Sequence, residues 1–344
     1  MSSKSIIDIR GLKKSFKSRR SKQGGMVEAV KGIDLAVEEG ECFGFLGPNG
    51  AGKSTSLRML ATLLAPDGGD ARIAGCDLLK EPAFVRRQIG YVSQAGGADT
   101  ASSGREDLML QARMYGLSAE EARERADELI RALDLSEFVD RFSRTYSGGQ
   151  RRKLDIALGM VHAPKVLFLD EPTTGLDPVS RSQIWERIRM LKRGGATVFL
   201  TTHYLDEADA LCDRIAIIDK GSIVAQGTPD ELKSGISGEI ISLTVNRAPG
   251  AGESARKLLE TEEYVREIGA NENRLKLTVT HGGEAIPSVL RLLEGKGISV
   301  IDIALARPSL DDVFLRVTGH TLQEAEDQSK PAAAVPAKTA KGAA

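Results

Sequence analysis

The sequence predicts an α/β protein, a largely parallel sheet covered by helices, followed by a smaller α+β unit and a polar tail. Three observations carry this. Short apolar runs alternate with amphipathic segments from the start to about residue 235, the rhythm of repeated strand–helix–strand units. After Gly235 the alternation restarts with shorter elements. From Gln323 to Ala344 the chain is rich in Ala, Lys and Pro with almost no bulky apolar residues, a composition that cannot bury enough surface to fold. With 344 residues there is room for roughly two domains, and we place them at 1–235 and 236–320, with 321–344 as a disordered tail.

In chain order, Glu41-Cys-Phe-Gly-Phe-Leu46 reads as a strand and Ser54–Leu64 as the helical run after it. Ile89-Gly-Tyr-Val-Ser93 is a second strand. The segment 118–133 spaces Ala122, Ala126, Leu129, Ile130 and Leu133 at helical intervals within dense charge, which predicts a solvent-facing helix without a site. A helix over 150–162 precedes strands at 165–169, 196–202 and 214–219. Beyond Gly235 come strand 239–246, helix 253–260, strands near 264–268 and 273–280, helix 284–294 and strand 298–305, a split βαβ, ferredoxin-like order. Pro308 and the N-capping Ser309-Leu-Asp-Asp312 then open a short helix to about Val317, expected either to cover the small sheet or to pack against the cassette or its dimer mate through Leu310, Val313 and Phe314. No internal repeat is present.

Composition excludes several classes. With 41% hydrophobic and 28% charged residues, the chain is neither wholly disordered nor collagen-like nor a disulfide scaffold. A net charge of −1 supplies no global field to draw in nucleic acid or an anionic membrane. Cys42, Cys76 and Cys212 are odd in number, far apart and without a CxxC pair, which argues against a disulfide framework or zinc site and for a reducing compartment. Met1–Phe16 lacks a signal-peptide apolar region, and no run approaches the ~18 continuous apolar residues needed to span a bilayer.

Three motifs carry chemistry. Gly47-Pro-Asn-Gly-Ala-Gly-Lys-Ser54 matches GxxxxGK[ST] between an apolar strand and a helix. Its glycines let backbone N–H groups of Gly47, Asn49, Gly50, Ala51 and Gly52 approach a phosphate around Pro48, and the helix N-terminus adds a positive dipole end. Lys53 would bridge β- and γ-phosphates, Ser54 would ligate Mg²⁺, and Thr55 is a candidate for the α-phosphate. Val166-Leu-Phe-Leu-Asp170-Glu171 is an apolar strand ending in two acids, a costly place for carboxylates unless they serve a metal. There Asp170 would hold Mg²⁺ through water and Glu171 would orient or deprotonate an attacking water. In Tyr146-Ser-Gly-Gly-Gln-Arg-Arg152, Ser147 caps a helix while Gly148 and Gly149 permit close backbone approach.

With Ser147-Gly-Gly-Gln150 lying between Ser54 and the Asp170-Glu171 pair, residues 6 to about 235 resemble the ATP-binding cassette (ABC) ATPases. The resemblance implies a P-loop NTPase cassette with a RecA-like core, a helical subdomain and an N-terminal antiparallel β part. It assigns Gln94 to a loop touching Mg²⁺ and the transporter partner, Gly175-Leu-Asp177 to the D-loop, and His203 to the γ-phosphate. It places Phe16 against adenine, where the family more often has tyrosine, and the stretch Lys17–Gly25 lengthens the segment after it. Tyr146, the run Leu169–Pro178 and the ending Arg307-Pro-Ser-Leu-Asp-Asp-Val-Phe-Leu-Arg-Val-Thr-Gly319 resemble, more narrowly, ATPase subunits of daunorubicin-resistance-type drug exporters.

That resemblance implies ATP and Mg²⁺ as cofactors, a second copy of the chain so that Ser147–Gln150 of one subunit closes the other's site, and a separate multi-span permease. Nucleic acid is not an expected partner, and the expected location is the cytoplasmic face of the cell membrane. A soluble ABC ATPase working on ribosomes or DNA is the alternative, but it would carry two cassettes in one chain or long coiled coils between the motifs. A nucleotide kinase or GTPase would leave Gln94, Ser147–Gln150 and His203 unexplained.

Overall fold

The computed structural model describes residues 5–17, 25–235, 238–246, 250–280, 282–306, 308–322 and 324–325. An antiparallel pair of long strands opens the chain, β1 (Ser5–Lys17) and β2 (Met26–Glu38), followed by β3 (Cys42–Leu46) and helix α1 (Lys53–Leu60). Strands β4 (Gly68–Ile73) and β5 (Cys76–Asp77), helix α2 (Pro82–Gln88) and β6 (Ile89–Val92) come next. Helices α3 (Gly104–Met114), α4 (Ala119–Ala132) and α5 (Gly148–Met160) lead to β7 (Val166–Asp170), α6 (Pro178–Arg193), β8 (Thr197–Thr202) and α7 (Leu205–Leu211). Strands β9 (Arg214–Asp219) and β10 (Ser222–Gly227) and helix α8 (Pro229–Ser234) complete this part. The remainder is β11 (Glu239–Val245), α9 (Ala251–Leu259), β12 (Val265–Asn271), β13 (Arg274–Val279), α10 (Gly282–Glu294), β14 (Val300–Ala306) and α11 (Leu310–Thr318).

The central sheet has the order β10-β9-β3-β8-β7-β6, and all its neighbours are parallel except β10 with β9. Its strands read as unbroken apolar runs because both faces are covered. Phe43, Phe45, Phe168 and Phe199 face the N-terminal layer, with ring centroids 5.4 to 6.4 Å apart. On the other face, Cys42, Leu46, Leu167, Leu169, Val198 and Leu200 pack under the helices. Since β8 lies between β3 and β7, the residues leaving their carboxyl ends converge at one edge, the place where open parallel sheets bind ligands.

The N-terminal layer is a second sheet, β2-β1-β4-β5, antiparallel throughout. Its strands follow from the family resemblance rather than from local patterning. The third sheet, β12-β13-β11-β14, is also antiparallel throughout and has a core of its own, in which Ala255 and Leu259 of α9 and Val289 and Leu293 of α10 pack on Ile241, Leu243 and Leu277. That is the order a split βαβ pattern requires.

At the C-terminal end the structure selects between the two packings open to α11 and orders the first residues of the expected tail. Helix α11 does not cover the small sheet: Leu310, Val313 and Phe314 join the core beneath the central sheet and pack on α7, α8 and β10. Their i, i+3, i+4 spacing makes a single apolar stripe, and this stripe is spent on the cassette while Leu315 remains exposed. Thr321 and Glu324 exchange side-chain and backbone hydrogen bonds, Leu322 is buried, and residues 322, 324 and 325 are helical, because Leu322 supplies the bulky anchor that the rest of the tail lacks. Residues 326–344 lie outside the described residues, as do 18–24 of the lengthened segment after Phe16.

Because α11 is part of the cassette core, Phe314→Ala is expected to destabilise the cassette itself by about 3 kcal/mol. Trp185, the sole tryptophan, packs against the same core and reports this transition by fluorescence. A denaturant midpoint equal to that of the unsubstituted protein would contradict the packing.

Candidate active site

Gly47–Ser54 runs from the carboxyl end of β3 into α1. A Cβ on Gly47 would stand 2.2 Å from the Ile218 carbonyl, and one on Gly52 would stand 2.5 Å from that of Ala29. Gly52 also has φ +110°, a conformation that L side chains rarely adopt. No side chain caps α1, so its leading N–H groups are offered to an anion. Lys53 is buried, and its Nζ donates to the carbonyls of Gly47 (2.6 Å) and Pro48 (3.2 Å) and lies 3.3 Å from Glu171 Oε1. Between the loop, Ala29 and Glu171 lies an open cleft of about 120 Å³, phosphate-sized rather than nucleotide-sized.

Asp170 ends β7 and Glu171 follows it, both buried. One hydroxyl serves both: Thr201 Oγ1 donates to Asp170 Oδ1 (2.7 Å) and accepts from the Glu171 N–H (3.0 Å). Ser54 Oγ donates to the same Asp170 oxygen at 3.0 Å. Glu171 sits at φ +46°, a left-handed conformation held against its intrinsic cost by these contacts. Its Oε2 accepts from Gln94 Nε2 (3.0 Å) and Thr174 Oγ1 (3.1 Å), and His203 Nδ1 stands 3.4 Å away. Burial alone would raise this carboxyl, but contact with His203 and the Lys53 ammonium overrides it and holds the pKa at about 2.

Ser147 caps α5 in a reciprocal capping box: its Oγ accepts from the Gln150 N–H (3.2 Å), and Gln150 Oε1 accepts from the Ser147 N–H (3.1 Å). Gly149 is forced by packing, since a Cβ would lie 2.8 Å from Ser180 Oγ. Tyr146, where leucine is commoner in the family, is buried edge-on against Phe138, and its hydroxyl donates to the Val139 carbonyl and accepts from the Gly104 N–H. Ser147 and Gly148 themselves are exposed.

The structure therefore brings together Gly47–Thr55, Gln94, Asp170, Glu171 and His203 at one sheet edge. Phe16 and Ser147–Gln150 do not line the cleft. Phe16 lies half-exposed on β1 opposite Val27, with Lys14 Nζ 5.8 Å from its ring centroid. Sequence reasoning passed over Ala29, Thr201 and Arg152. A threonine pair closing the buried run Thr197–Thr202 was the available signal for Thr201. The donor set suits Mg²⁺: among the described residues the buried Asp170 carboxylate accepts only hydroxyl protons, and Ser54 Oγ, Asp170 and the Gln94 amide oxygen are all hard oxygen ligands.

The depressed Glu171 pKa fixes the sign of a pH effect. Ionised Glu171 stabilises the fold above about pH 4.5, and this contribution is lost as the pH falls through about 2. The stability difference between the unsubstituted protein and Glu171→Gln is expected to shrink by about 1 to 2 kcal/mol between pH 6 and pH 3.5 in denaturant titrations. A difference that stays constant or widens would contradict the electrostatic account.

Residues 30–174 match the family described as ABC transporter, and residues 227–318 match that described as ATP-binding protein DrrA1-3-like, C-terminal domain. The daunorubicin resistance ATP-binding protein DrrA2 of Streptomyces coeruleorubidus is 46% identical over 305 residues, covering 89% of this chain and 95% of that protein. The daunorubicin/doxorubicin resistance ATP-binding protein DrrA of Streptomyces peucetius is 44% identical over 334 residues, covering 97% and 98%. Among solved structures, a dimeric post-hydrolysis state of an ATP-binding cassette bound to ADP and Pi matches with a TM-score of 0.59 at 26% identity, covering 65% of this chain and 98% of that one. Likeness over nearly the whole of both chains, with the sheet-edge geometry that ATP hydrolysis requires, means that this chain belongs to the ATP-binding proteins of ABC transporters and is an ATPase of that family.

Proposed function

We propose that the chain is the ATP-hydrolysing subunit of an exporter for a drug or other hydrophobic compound, working as a homodimer beneath a separate membrane permease. The observation that carries the catalytic part is Glu171, a buried carboxylate at the phosphate cleft that lies 3.3 Å from Lys53 Nζ and 3.4 Å from His203 Nδ1. Among the described residues no helix is long and apolar enough to cross a membrane, so a separate permease is needed for transport. Relatives named for drug resistance favour this reading over one acting on ribosomes or DNA.

Backbone N–H groups of Asn49–Ser54 and the open end of α1 cradle the phosphates, and Lys53 exchanges the Gly47 and Pro48 carbonyls for phosphate oxygens. Ser54, Gln94 and Asp170 would hold Mg²⁺, which would supply charge neutralisation. As Lys53 turns to phosphate and His203 to the γ-phosphate, both groups that depress the Glu171 carboxyl are redirected. Burial then raises its pKa, and it becomes a competent proton acceptor at the moment substrate is in place. Glu171 takes a proton from water, the water oxygen bonds to the γ-phosphorus, and the bond to the β,γ-bridging oxygen breaks, leaving ADP and phosphate. Thr201 keeps Asp170 and Glu171 in register, and Phe16 stacks on the adenine. Ser147 and Gly148, exposed and away from the chain's own cleft, open the Ser147–Gln150 turn that faces the γ-phosphate bound by the second copy.

Glu171→Gln is expected to lower single-turnover hydrolysis at least about 100-fold while ATP binding persists, whereas Lys53→Ala weakens binding itself. Hydrolysis by Glu171→Gln at the unsubstituted rate would remove Glu171 from the mechanism.

A further inference from the structure

Helix α5 does more than present Ser147. One turn beyond its cap, the buried Arg152 directs all three faces of its guanidinium at backbone carbonyls: Nη1 to Ser93 (2.7 Å), Nη2 to Asp170 (2.9 Å) and Nε to Pro172 (2.8 Å). Three residues later on the same helix face, the buried Asp155 turns Oδ1 to the N–H groups of Gly97 (2.8 Å) and Ala98 (3.1 Å). Gly96, just before them, has φ +81°, and a Cβ there would stand 2.7 Å from Asp155 Oδ2, so the loop lies directly on the carboxylate. The contacts bracket Gln94 on both sides, and Gln94 donates to Glu171 at 3.0 Å. Arg152 at the same time grips the carbonyl of Asp170 and that of Pro172, either side of Glu171.

We infer that Arg152 and Asp155 are positioning residues for hydrolysis, a clamp through which α5 sets Gln94 against Glu171. Neither touches the phosphate cleft, so their effect passes through Gln94 and the ends of β7. The clamp also makes the Ser147 turn and the Gln94 loop parts of one rigid body. Engagement of Ser147 by a partner's nucleotide is then felt at Gln94 without any intervening flexible segment. This inference rests on the catalytic reading of Glu171 given above.

Single-turnover ATP hydrolysis by the full-length chain tests it. Asp155→Ala is expected to lower kcat about tenfold, the scale of a misplaced catalytic group, with KM for ATP changed less than about twofold. Asp155→Asn, which keeps an acceptor for the Gly97 and Ala98 N–H groups, recovers most of the rate. In a Gln94→Ala background, Asp155→Ala adds less than about a further twofold, because its route of action is already gone. If Asp155→Ala does not fold, Gly96→Ala disturbs the same junction from the loop side and is read by the same non-additivity. A full tenfold loss in the Gln94→Ala background, or a loss confined to KM, would overturn the inference. Failure of the unsubstituted chain to hydrolyse ATP would instead refute the catalytic reading, so the two failures are distinguishable.

Discussion

The site depends on one constraint, that two adjacent carboxylates sit buried at the end of a central strand and must be satisfied there. Isolated charges in such a place would cost several kcal/mol each. The chain answers with its own groups: hydroxyls from Ser54 and Thr201 on Asp170, and Lys53, Gln94, Thr174 and His203 around Glu171. These groups come from β3–α1, the loop after β6, the segment after β7 and the end of β8, so satisfying the acids also locks the sheet edge together. Thr201 is the most central of them, because one oxygen contacts both acidic residues.

On the proposed mechanism, the same arrangement lets a carboxyl with a pKa of about 2 serve as a base. Glu171 is the counter-charge of Lys53, 3.3 Å away. Phosphate competes for that lysine, and burial, until then outweighed, becomes the dominant influence on the carboxyl. On that proposal, substrate binding and activation of the base are one electrostatic exchange.

Much of this was legible in the sequence because the chemistry demands particular residue types at fixed spacing. Glycines at 47 and 52 answer to carbonyls at van der Waals limits, and an acid pair at the end of an apolar run has few other uses. The split βαβ pattern likewise led to the antiparallel order of the small sheet. What escaped was long-range. Nothing local in Leu310-Asp-Asp-Val-Phe314 says whether its apolar stripe meets the nearby sheet or the distant cassette, and the choice of α7 and α8 is made by surfaces elsewhere in the chain. Thr201 and Asp155 escaped for the same reason: a threonine or aspartate becomes informative only once its partners, 31 and 58 positions away in sequence, are beside it. The long strands of the N-terminal layer carry register shifts at several points, which blurs the alternation that would otherwise announce them.

The central claim is that each catalytic site is divided between two chains, the acids and phosphate loop on one and the exposed Ser147 turn on the other. Mixing Lys53→Ala chains with Ser147→Arg chains tests it most directly, since one site of the mixed dimer then keeps both an intact loop and an intact turn. The account predicts that each variant alone hydrolyses almost no ATP and that the mixture regains up to about a quarter of the unsubstituted rate, half the dimers being mixed with one sound site each. A mixture as inactive as its parents, or either parent active by itself, would contradict it.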